Sequence, residues 1–325
     1  MSLMRFVAHR VLSLAVAVFT PMLQAQSWPE RPIHIVVPFA AGSALDLIPR
    51  MIAPRLQTAL GQPVVVENRI GANGMIGSAW VANAPPDGYT LQLATSGTHV
   101  TSILLNKNVP YDPLRSFSAI SAVVEPATCL VVNPTLDVHS VRELIDYARA
   151  HPGKLSYGSP GIGSVFHLAG DLFSRTAGID LVHVTYKGAA PAMSDLISGQ
   201  ILVNFTSVAD VLPSAKAGKV RVLAVLEANR YPGMPEVPTV GESLGGFRKP
   251  PTWAGFLGPA GLPPAVLARL HDEIVNAVNA PDTHARLESM GLNVTANTPE
   301  QFVALIRSGI EQYGGIVKAA GIQPQ

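Results

Sequence analysis

Two kinds of hydrophobic pattern alternate along the chain and together predict an α/β fold. Short runs of β-branched residues are followed by stretches in which apolar residues recur every three or four positions. Near the start of the chain they predict, in order, strand 33–38, helix 45–60, strand 64–67, helix 76–82 and strand 90–94. Such alternation is typical of mostly parallel sheets with helices on their faces.

The same rhythm returns in the middle of the chain and predicts a second α/β unit. Its elements are strand 130–133, helix 141–150, strand 155–158, helix 164–177, strand 180–184, helix 190–198, strand 201–205 and strand 220–226. A segment rich in Pro and Gly follows, from 229 to 264, and then two amphipathic helices, 264–280 and 299–319. Because these helices have no strands of their own, we expect the chain to return to the first sheet.

This topology predicts a two-domain protein with a hinge of two crossing segments. We place the crossings near 121–127 and 225–231. Domain 1 would then be discontinuous, and domain 2 would be inserted between its parts. The predicted limits are 26–124 and 228–325 for domain 1 and 125–227 for domain 2.

Two loops that lead from a predicted strand into a predicted helix are the best candidates for ligand binding. They read Ala-Ala-Gly-Ser-Ala-Leu-Asp (40–46) and Ser-Pro-Gly-Ile-Gly-Ser (159–164). The first N–H groups of a helix are unpaired, and the helix dipole favours an anion there by roughly 0.3–1 kcal/mol when the site is exposed. The sequence therefore predicts a receptor for a small carboxylic acid. Asp46 is expected to brace its own loop, because its charge would repel an acid.

Loops after four predicted strands are expected to meet in the cleft between the domains. In open α/β sheets, ligands lie beyond the carboxyl ends of the strands. The four loops are 40–44, 95–99, 159–164 and 206–207. Within them, the hydroxyl groups of Ser43 and Ser164 can donate hydrogen bonds to a ligand, or the two residues can be simple N-caps without ligand contact.

Composition and charge exclude several classes of function. The 325 residues carry 23 Lys and Arg against 22 Asp and Glu, a net charge of +1, without a basic stripe. This argues against binding of nucleic acid or of a membrane surface. Cys129 is the single cysteine, so no internal disulfide is possible, and its apolar neighbours predict a small buried residue.

The first 25 residues have the layout of a secretory signal peptide. Basic residues precede an apolar run, 11–19, and Ala25 is a small residue at the expected cleavage point. The run is too short to span a bilayer, and no later segment has 18 uninterrupted apolar residues, so we expect no direct membrane insertion. The alternative is a short membrane anchor. The mature chain would begin near Gln26 and act in the periplasm.

No pattern in the sequence supports catalysis, a metal site or a cofactor. The chain lacks H-E-x-x-H, paired C-x-x-C, Gly-x-Ser-x-Gly and P-loop motifs. Ser164 and His167 are three residues apart and would share one helix face. A capping serine and a packing histidine explain that spacing without chemistry, so we predict no catalytic residue.

An ordered set of motifs resembles the Bug-type extracytoplasmic solute receptors of tripartite tricarboxylate transporters. The matching segments are Trp-Pro-Glu-Arg-Pro-Ile-His-Ile-Val-Val-Pro-Phe (28–39), Leu-Gly-Gln-Pro-Val-Val-Val-Glu-Asn (60–68), Pro-Asp-Gly-Tyr-Thr-Leu (86–91), Gly-Thr-His (97–99), Tyr-Asp-Pro (111–113), His-Leu-Ala-Gly (167–170), Val-Thr-Tyr-Lys-Gly (184–188), Val-Pro-Thr (237–239) and Gly-Pro-Ala-Gly (258–261). The resemblance implies a two-domain (type II, Venus flytrap) periplasmic binding protein. It also implies a membrane transporter of one large and one small subunit as partner, and we expect a monomer.

The resemblance and the loop argument lead to one set of candidate ligand-binding residues. These are Ala41, Gly42, Ser43, Ala44, Ser96, Gly97, Thr98, Gly161, Gly163, Ser164, Phe166, His167 and Thr206. Ser96 and Thr98 would hold the far end of the ligand.

Some of these positions depart from the family pattern. The family commonly has an acidic residue where Thr206 stands, so a dicarboxylate, a tricarboxylate or an aromatic acid is favoured over an amino acid. Phe166 replaces an expected polar residue and either stacks on a ligand ring or packs in the core. The loop around Gly42 has fewer glycines than is usual in the family, so its path can differ. Trp253 either lines the cleft or packs at the hinge.

Two other functions remain open from the sequence. In one, the same receptor docks on a signalling protein instead of a transporter. In the other, the protein is a periplasmic hydrolase or isomerase of an organic acid.

Overall fold

The computed structural model describes residues 28–324, which form two sheets covered by helices. The first sheet contains strands β1 (Ile33–Val37), β2 (Val64–Asn68), β3 (Thr90–Thr95), β4 (Phe117–Pro126), β10 (Ala254–Pro259) and β11 (Leu292–Val294). Its helices are α1 (Ala44–Leu60), α2 (Met75–Ala82), α3 (Ser102–Leu105), α9 (Pro264–Asn279), α10 (Pro281–Ser289) and α11 (Pro299–Ala319).

The middle of the chain forms the second sheet, as predicted. Its strands are β5 (Thr128–Val132), β6 (Ser156–Ser159), β7 (Val182–Thr185), β8 (Val203–Ser207) and β9 (Arg221–Val225). Its helices are α4 (Val141–Ala150), α5 (Val165–Ala177), α6 (Ala189–Ser198), α7 (Val208–Lys216) and α8 (Val240–Ser243).

Both sheets are mixed, which corrects the prediction of mostly parallel sheets. The strand orders are β11-β4-β10-β3-β1-β2 and β7-β6-β8-β5-β9. Strand β10 is antiparallel to both of its neighbours, and so is β5. Each of these is the first strand laid down after the chain changes sheets, so it follows no β-α-β crossover that would make it parallel. The sequence did not predict β4, β10, β11, α7 or α10.

Helix α1 runs unbroken through two prolines. An interior proline costs about 3 kcal/mol and commonly kinks or ends a helix. The helix nevertheless begins at Ala44 and contains Pro49 and Pro54. Its buried face, Ile48, Ile52 and Leu56, lies in the core of the first sheet. Burial of each such side chain contributes roughly 1.5–3 kcal/mol, which outweighs the loss of two backbone hydrogen bonds.

The C-terminal helices pack on the first sheet, as expected, and they lie on opposite faces of it. Helix α9 contributes Leu270 and Ile274 to one core, and α11 contributes Phe302 and Ile306 to the other. Both helices contact β4. The chain therefore completes its first unit only after the second unit has been inserted.

The chain crosses from the first sheet to the second at Ala127, between β4 and β5. For the return, predicted at 225–231, core membership favours a position further along the chain. After β9, Leu226, Tyr231 and Phe247 still pack in the cores of the second sheet, whereas Trp253 belongs to a core of the first. The predicted domain limits remain a prediction, and this packing favours a return crossing at 248–253.

A buried ion pair links the return crossing to the first crossing through Glu227, which lies just after β9. Lys249 Nζ lies 3.3 Å from Glu227 Oε1, and their side chains are 2% and 6% exposed. Glu227 also accepts hydrogen bonds from the backbone N–H and the hydroxyl of Thr128, at 3.1 and 2.6 Å. On the other side, Thr252 Oγ1 donates to the carbonyl of Pro126 at 3.2 Å. These contacts hold the two crossings together at the hinge.

The predicted signal peptide, 1–25, and the cleavage point at Gln26 lie outside the described residues. Within residues 28–324, no helix has both the length and the hydropathy needed to cross a membrane. Cys129 is buried, as predicted.

Candidate functional site

A cavity of about 760 Å³ lies between the two sheets, where loops from both units meet. The loop after β1 contributes Ser43 and the loop after β3 contributes Ser96. From the second sheet, Ser164 follows β6, and Ser207 lies at the end of β8. The predicted meeting of these four loops is therefore confirmed.

Most of the predicted site residues line this cavity. They are Ser43, Ala44, Ser96, Gly97, Thr98, Gly161, Gly163, Ser164 and Phe166. The remaining four, Ala41, Gly42, His167 and Thr206, are not part of its wall. Trp253, whose place was open, lines the cavity and also packs against Phe302, with ring centroids 4.8 Å apart.

Asp46 explains why Gly42 does not face the cavity. The fully buried Asp46 carboxylate accepts hydrogen bonds from Gly42 N at 2.8 Å, Arg50 Nε at 2.8 Å and Asn68 Nδ2 at 2.7 Å. Burial by itself would raise the pKa of Asp46, but these hydrogen bonds outweigh it and lower the pKa to about 2. Asp46 thus braces its own loop, as expected, and uses one N–H that was predicted to bind the ligand.

Two backbone N–H groups at the start of α1 lack an acceptor in the described part of the chain. Ser43 is the N-cap, and its Oγ accepts from Asp46 N at 3.3 Å. The N–H groups of Ala44 and Leu45, both in the cavity wall, have no acceptor among residues 28–324. Ser43 is therefore both a cap and a cavity residue.

The start of α5 is the more favourable of the two for an anion, because its first turn carries no carboxylate. Ser164 is its N-cap and accepts from His167 N at 3.2 Å. Val165 and Phe166 line the cavity, and their N–H groups have no acceptor in the described part of the chain. The first turn of α5 contains no acidic residue. An anion at this helix start would meet the dipole without a competing carboxylate.

His167 lies outside the cavity wall and contacts the loop before α5. Its Nδ1 accepts from Gly163 N at 2.9 Å, and its ring stacks on His183 with centroids 3.9 Å apart. His183 Nε2 lies 2.8 Å from Ser159 Oγ. Burial and the neighbouring His167 lower the pKa of His183 to about 4, and burial also lowers the pKa of His167. Since Ser164 bonds the backbone of His167 and not its ring, the pair does not form a nucleophile and base.

The segment after β3, predicted as a loop, is a short π-helix, Gly97–Thr101, that continues into α3, and it offers fewer polar groups than the sequence suggested. Thr98 Oγ1 donates to Thr95 O at 3.0 Å and lies 2.9 Å from His99 Nδ1. These contacts occupy the hydroxyl that was expected to hold the far end of a ligand. Ser96 has no side-chain hydrogen bond to a described residue.

The cavity wall is largely apolar and carries little charge. Phe39, Leu45, Leu105 and Phe166 form much of its apolar surface. Phe166 also packs against the core of the second sheet, which confirms its predicted core role, and its stacking on a ligand ring stays a prediction. Among the described residues in the wall, Asp210 is the one with a charged side chain. Sequence reasoning missed Asp210, although the pattern Ser-x-x-Asp at 207–210 is a helix-start signal.

Comparison with known proteins shows the family. A family described as "Tripartite tricarboxylate transporter family receptor" matches residues 48–322. The chain belongs to this family of receptors. Its members are substrate-binding receptors and not enzymes, so the hydrolase and isomerase alternative is excluded.

The receptor is similar over its whole length to named relatives. It is 33% identical to Protein BugT of Bordetella pertussis, over 99% of both chains. It is 32% identical to Rpa4515 of R. palustris solved with adipate, with a TM-score of 0.81 over 92% of this chain and 100% of that one. It is 29% identical to MatC of Rhodopseudomonas palustris with bound malate, with a TM-score of 0.75 over 89% and 100%. The predicted fold, a two-domain periplasmic binding protein, is confirmed.

Proposed function

We propose that this receptor captures a small organic acid in the periplasm and delivers it to a tripartite tricarboxylate-type transporter. The open start of α5 carries the proposal, because it offers the N–H groups of Val165 and Phe166 without a competing carboxylate. A carboxylate bound there needs no Lys or Arg. The Ser164 hydroxyl and the N–H groups of Ala44 and Leu45 complete a cradle drawn from both units.

The size and chemistry of the cavity support a small acid with an apolar body. Small-molecule sites are commonly 300–1,000 Å³, with apolar walls and a few polar groups that fix orientation. The cavity of about 760 Å³ has this composition. Relatives solved with adipate and malate bind acids of this size class. The preference for a dicarboxylate, a tricarboxylate or an aromatic acid over an amino acid, which was drawn from Thr206, remains a sequence-based prediction.

The ligand would act by joining the two units. Its carboxylate touches α1 and α5, which belong to different sheets, so binding favours the arrangement in which both helix starts face each other. A membrane partner of one large and one small subunit would recognise this closed state. Residues 1–25 would direct export as a signal peptide, and the mature receptor would act as a monomer.

The test compares two serine N-caps. Aspartate caps a helix about as well as serine, so Ser164→Asp keeps the cap and adds a negative charge at the proposed anion site. Ser140→Asp makes the same change at the N-cap of α4, outside the cavity wall. Both proteins, residues 26–325, are unfolded and refolded to remove bound ligand. Thermal shift and titration calorimetry then follow binding of aliphatic and aromatic acids.

We expect Ser164→Asp to lose acid binding and Ser140→Asp to bind like the wild type. A ligand at 100 times its Kd stabilises a protein by about 2.7 kcal/mol, which a thermal shift detects readily. Unchanged affinity in Ser164→Asp would refute the placement of the carboxylate at α5. No binding of any acid by the refolded wild type would refute the proposed function.

A further inference from the structure

Three helices that are capped by a serine side chain begin at the wall of the cavity, and they differ in the charge of their first turn. Ser43, Ser164 and Ser207 are the N-caps of α1, α5 and α7, and all three line the cavity. Asp46 lies in the first turn of α1 and Asp210 in that of α7, whereas α5 has no acidic residue there. The three helix starts therefore do not offer equal sites to an anion.

The two first-turn carboxylates have different surroundings. Asp46 is fully buried and paired with Arg50, so its charge is compensated and turned away from the cavity. Asp210 is exposed and lies in the wall. Its Oδ2 accepts from the hydroxyls of Ser207 at 2.7 Å and Thr206 at 3.4 Å, and it has no ion pair within the described residues. Asp210 thus places at the start of α7 a negative charge that has no cationic partner among the described residues.

The position of Asp210 changes the argument drawn from Thr206. The sequence suggested that the site had lost an acidic group, which disfavoured ligands with an ammonium group. In the structure, the Thr206 side chain is buried outside the cavity wall and its hydroxyl contacts Asp210. The acidic group in the cavity wall is supplied by Asp210, four residues later.

The geometry points to Asp210 as the residue that selects the far end of the ligand. With one carboxylate held at α5, a second carboxylate at α7 would meet a like charge in a cavity whose described wall contains no Lys, Arg or His. Like charges in a partly desolvated site repel strongly. A hydrogen-bond donor, an ammonium or hydroxyl group, is favoured in that place. The preferred ligand is a monocarboxylic acid with such a donor at its far end. This inference rests on the proposed function.

Two series of acids matched in shape test the inference. The straight-chain series is hexanoate, adipate and 6-aminohexanoate, and the ring series is benzoate, terephthalate and 4-(aminomethyl)benzoate. The far group is methyl, carboxylate or aminomethyl in the straight-chain series, and hydrogen, carboxylate or aminomethyl in the ring series. Titration calorimetry gives Kd for the refolded wild type, for Asp210→Asn and for a control, Asp272→Asn. Asparagine can keep the bond from Ser207, and Asp272 is a 68% exposed residue of α9.

In at least one series, we expect the wild type to bind the dicarboxylate at least tenfold more weakly than both other acids. Asp210→Asn should bring the dicarboxylate and the monocarboxylate within about threefold of each other, since tenfold corresponds to about 1.4 kcal/mol of lost repulsion. Asp272→Asn should behave like the wild type. If acids bind but the wild type accepts dicarboxylates equally well and Asp210→Asn changes nothing, the inference is overturned and the proposed function stands. If none of the proteins binds any acid of either series, both this inference and the proposed function are contradicted.

Discussion

Replacing Lys249 by methionine removes the cation from the buried ion pair at the hinge. The side chains of Lys249 and Glu227 are 2% and 6% exposed, so water cannot replace the lost partner. Breaking a buried pair from one side costs about 3–5 kcal/mol, because the remaining charge stays buried without compensation. For a chain of this size, about 2 °C of Tm corresponds to 1 kcal/mol, which gives a loss of about 6–10 °C.

Thermal denaturation followed by circular dichroism measures this loss, with two further variants. Glu227→Gln/Lys249→Met removes both charges, and we expect it to recover at least half of the lost Tm because no unpaired Glu227 charge remains. Arg230→Met breaks the exposed pair with Glu242, which lies between β9 and the return crossing, and should leave Tm nearly unchanged. If Lys249→Met shifts Tm by less than about 2 °C, or if the double variant loses the sum of the single losses, the ion pair does not hold the hinge.

The pH dependence of the same variant gives an independent check. Burial raises the pKa of Glu125, Lys249 opposes this rise and Glu227 adds to it. A carboxyl group with a raised pKa in the folded state binds more protons there than in the unfolded state, so its destabilising effect shrinks as pH falls. Without Lys249, the raised pKa of Glu125 should rise further. We therefore expect the Tm difference between wild type and Lys249→Met to be smaller at pH 5 than at pH 7.5, and an equal difference would contradict this account.

Two further predictions concern the loop before α5. The pKa of His183 is lowered to about 4, so between pH 6.5, its ordinary pKa, and about pH 4 the unfolded state binds more protons than the folded state. The free energy of unfolding should therefore fall as pH decreases through this window. We expect Tm to fall less in His183→Asn than in the wild type. Equal falls would show that other groups dominate. Gly163 has φ +74°, and an added Cβ would overlap Leu105 Cδ1 of the other unit. We therefore expect Gly163→Ala to weaken acid binding at least tenfold and Gly163→Ala/Leu105→Ala to restore it in part. Calorimetric Kd values decide this, and a double variant no better than Gly163→Ala would contradict the contact.

Local patterns in the sequence were enough to predict much of the fold and the chain segments that meet at the cavity. Strand β1 followed by α1 and β6 followed by α5 could be located because hydrophobic period and capping serines are properties of neighbouring residues. Helices α4 and α11 were predicted to the residue, as 141–150 and 299–319. The meeting of the loops at the carboxyl ends of the strands followed from the α/β order itself.

What the sequence alone determined is thus the alternation of strands and helices, the loops that precede α1 and α5, and membership in the receptor family. Only the tertiary structure decided how distant segments pair and which polar groups remain open. Strand β10 inserts between β3 and β4 although more than 120 residues separate it from either, and no local pattern encodes such a partner. Likewise, Gly42 and Thr98 lose their hydrogen-bonding groups to neighbours in their own loops, and Asp210 reaches the cavity because α7 begins there. The availability of an N–H group or a carboxylate depends on every atom packed around it, and that packing exists only in the folded chain.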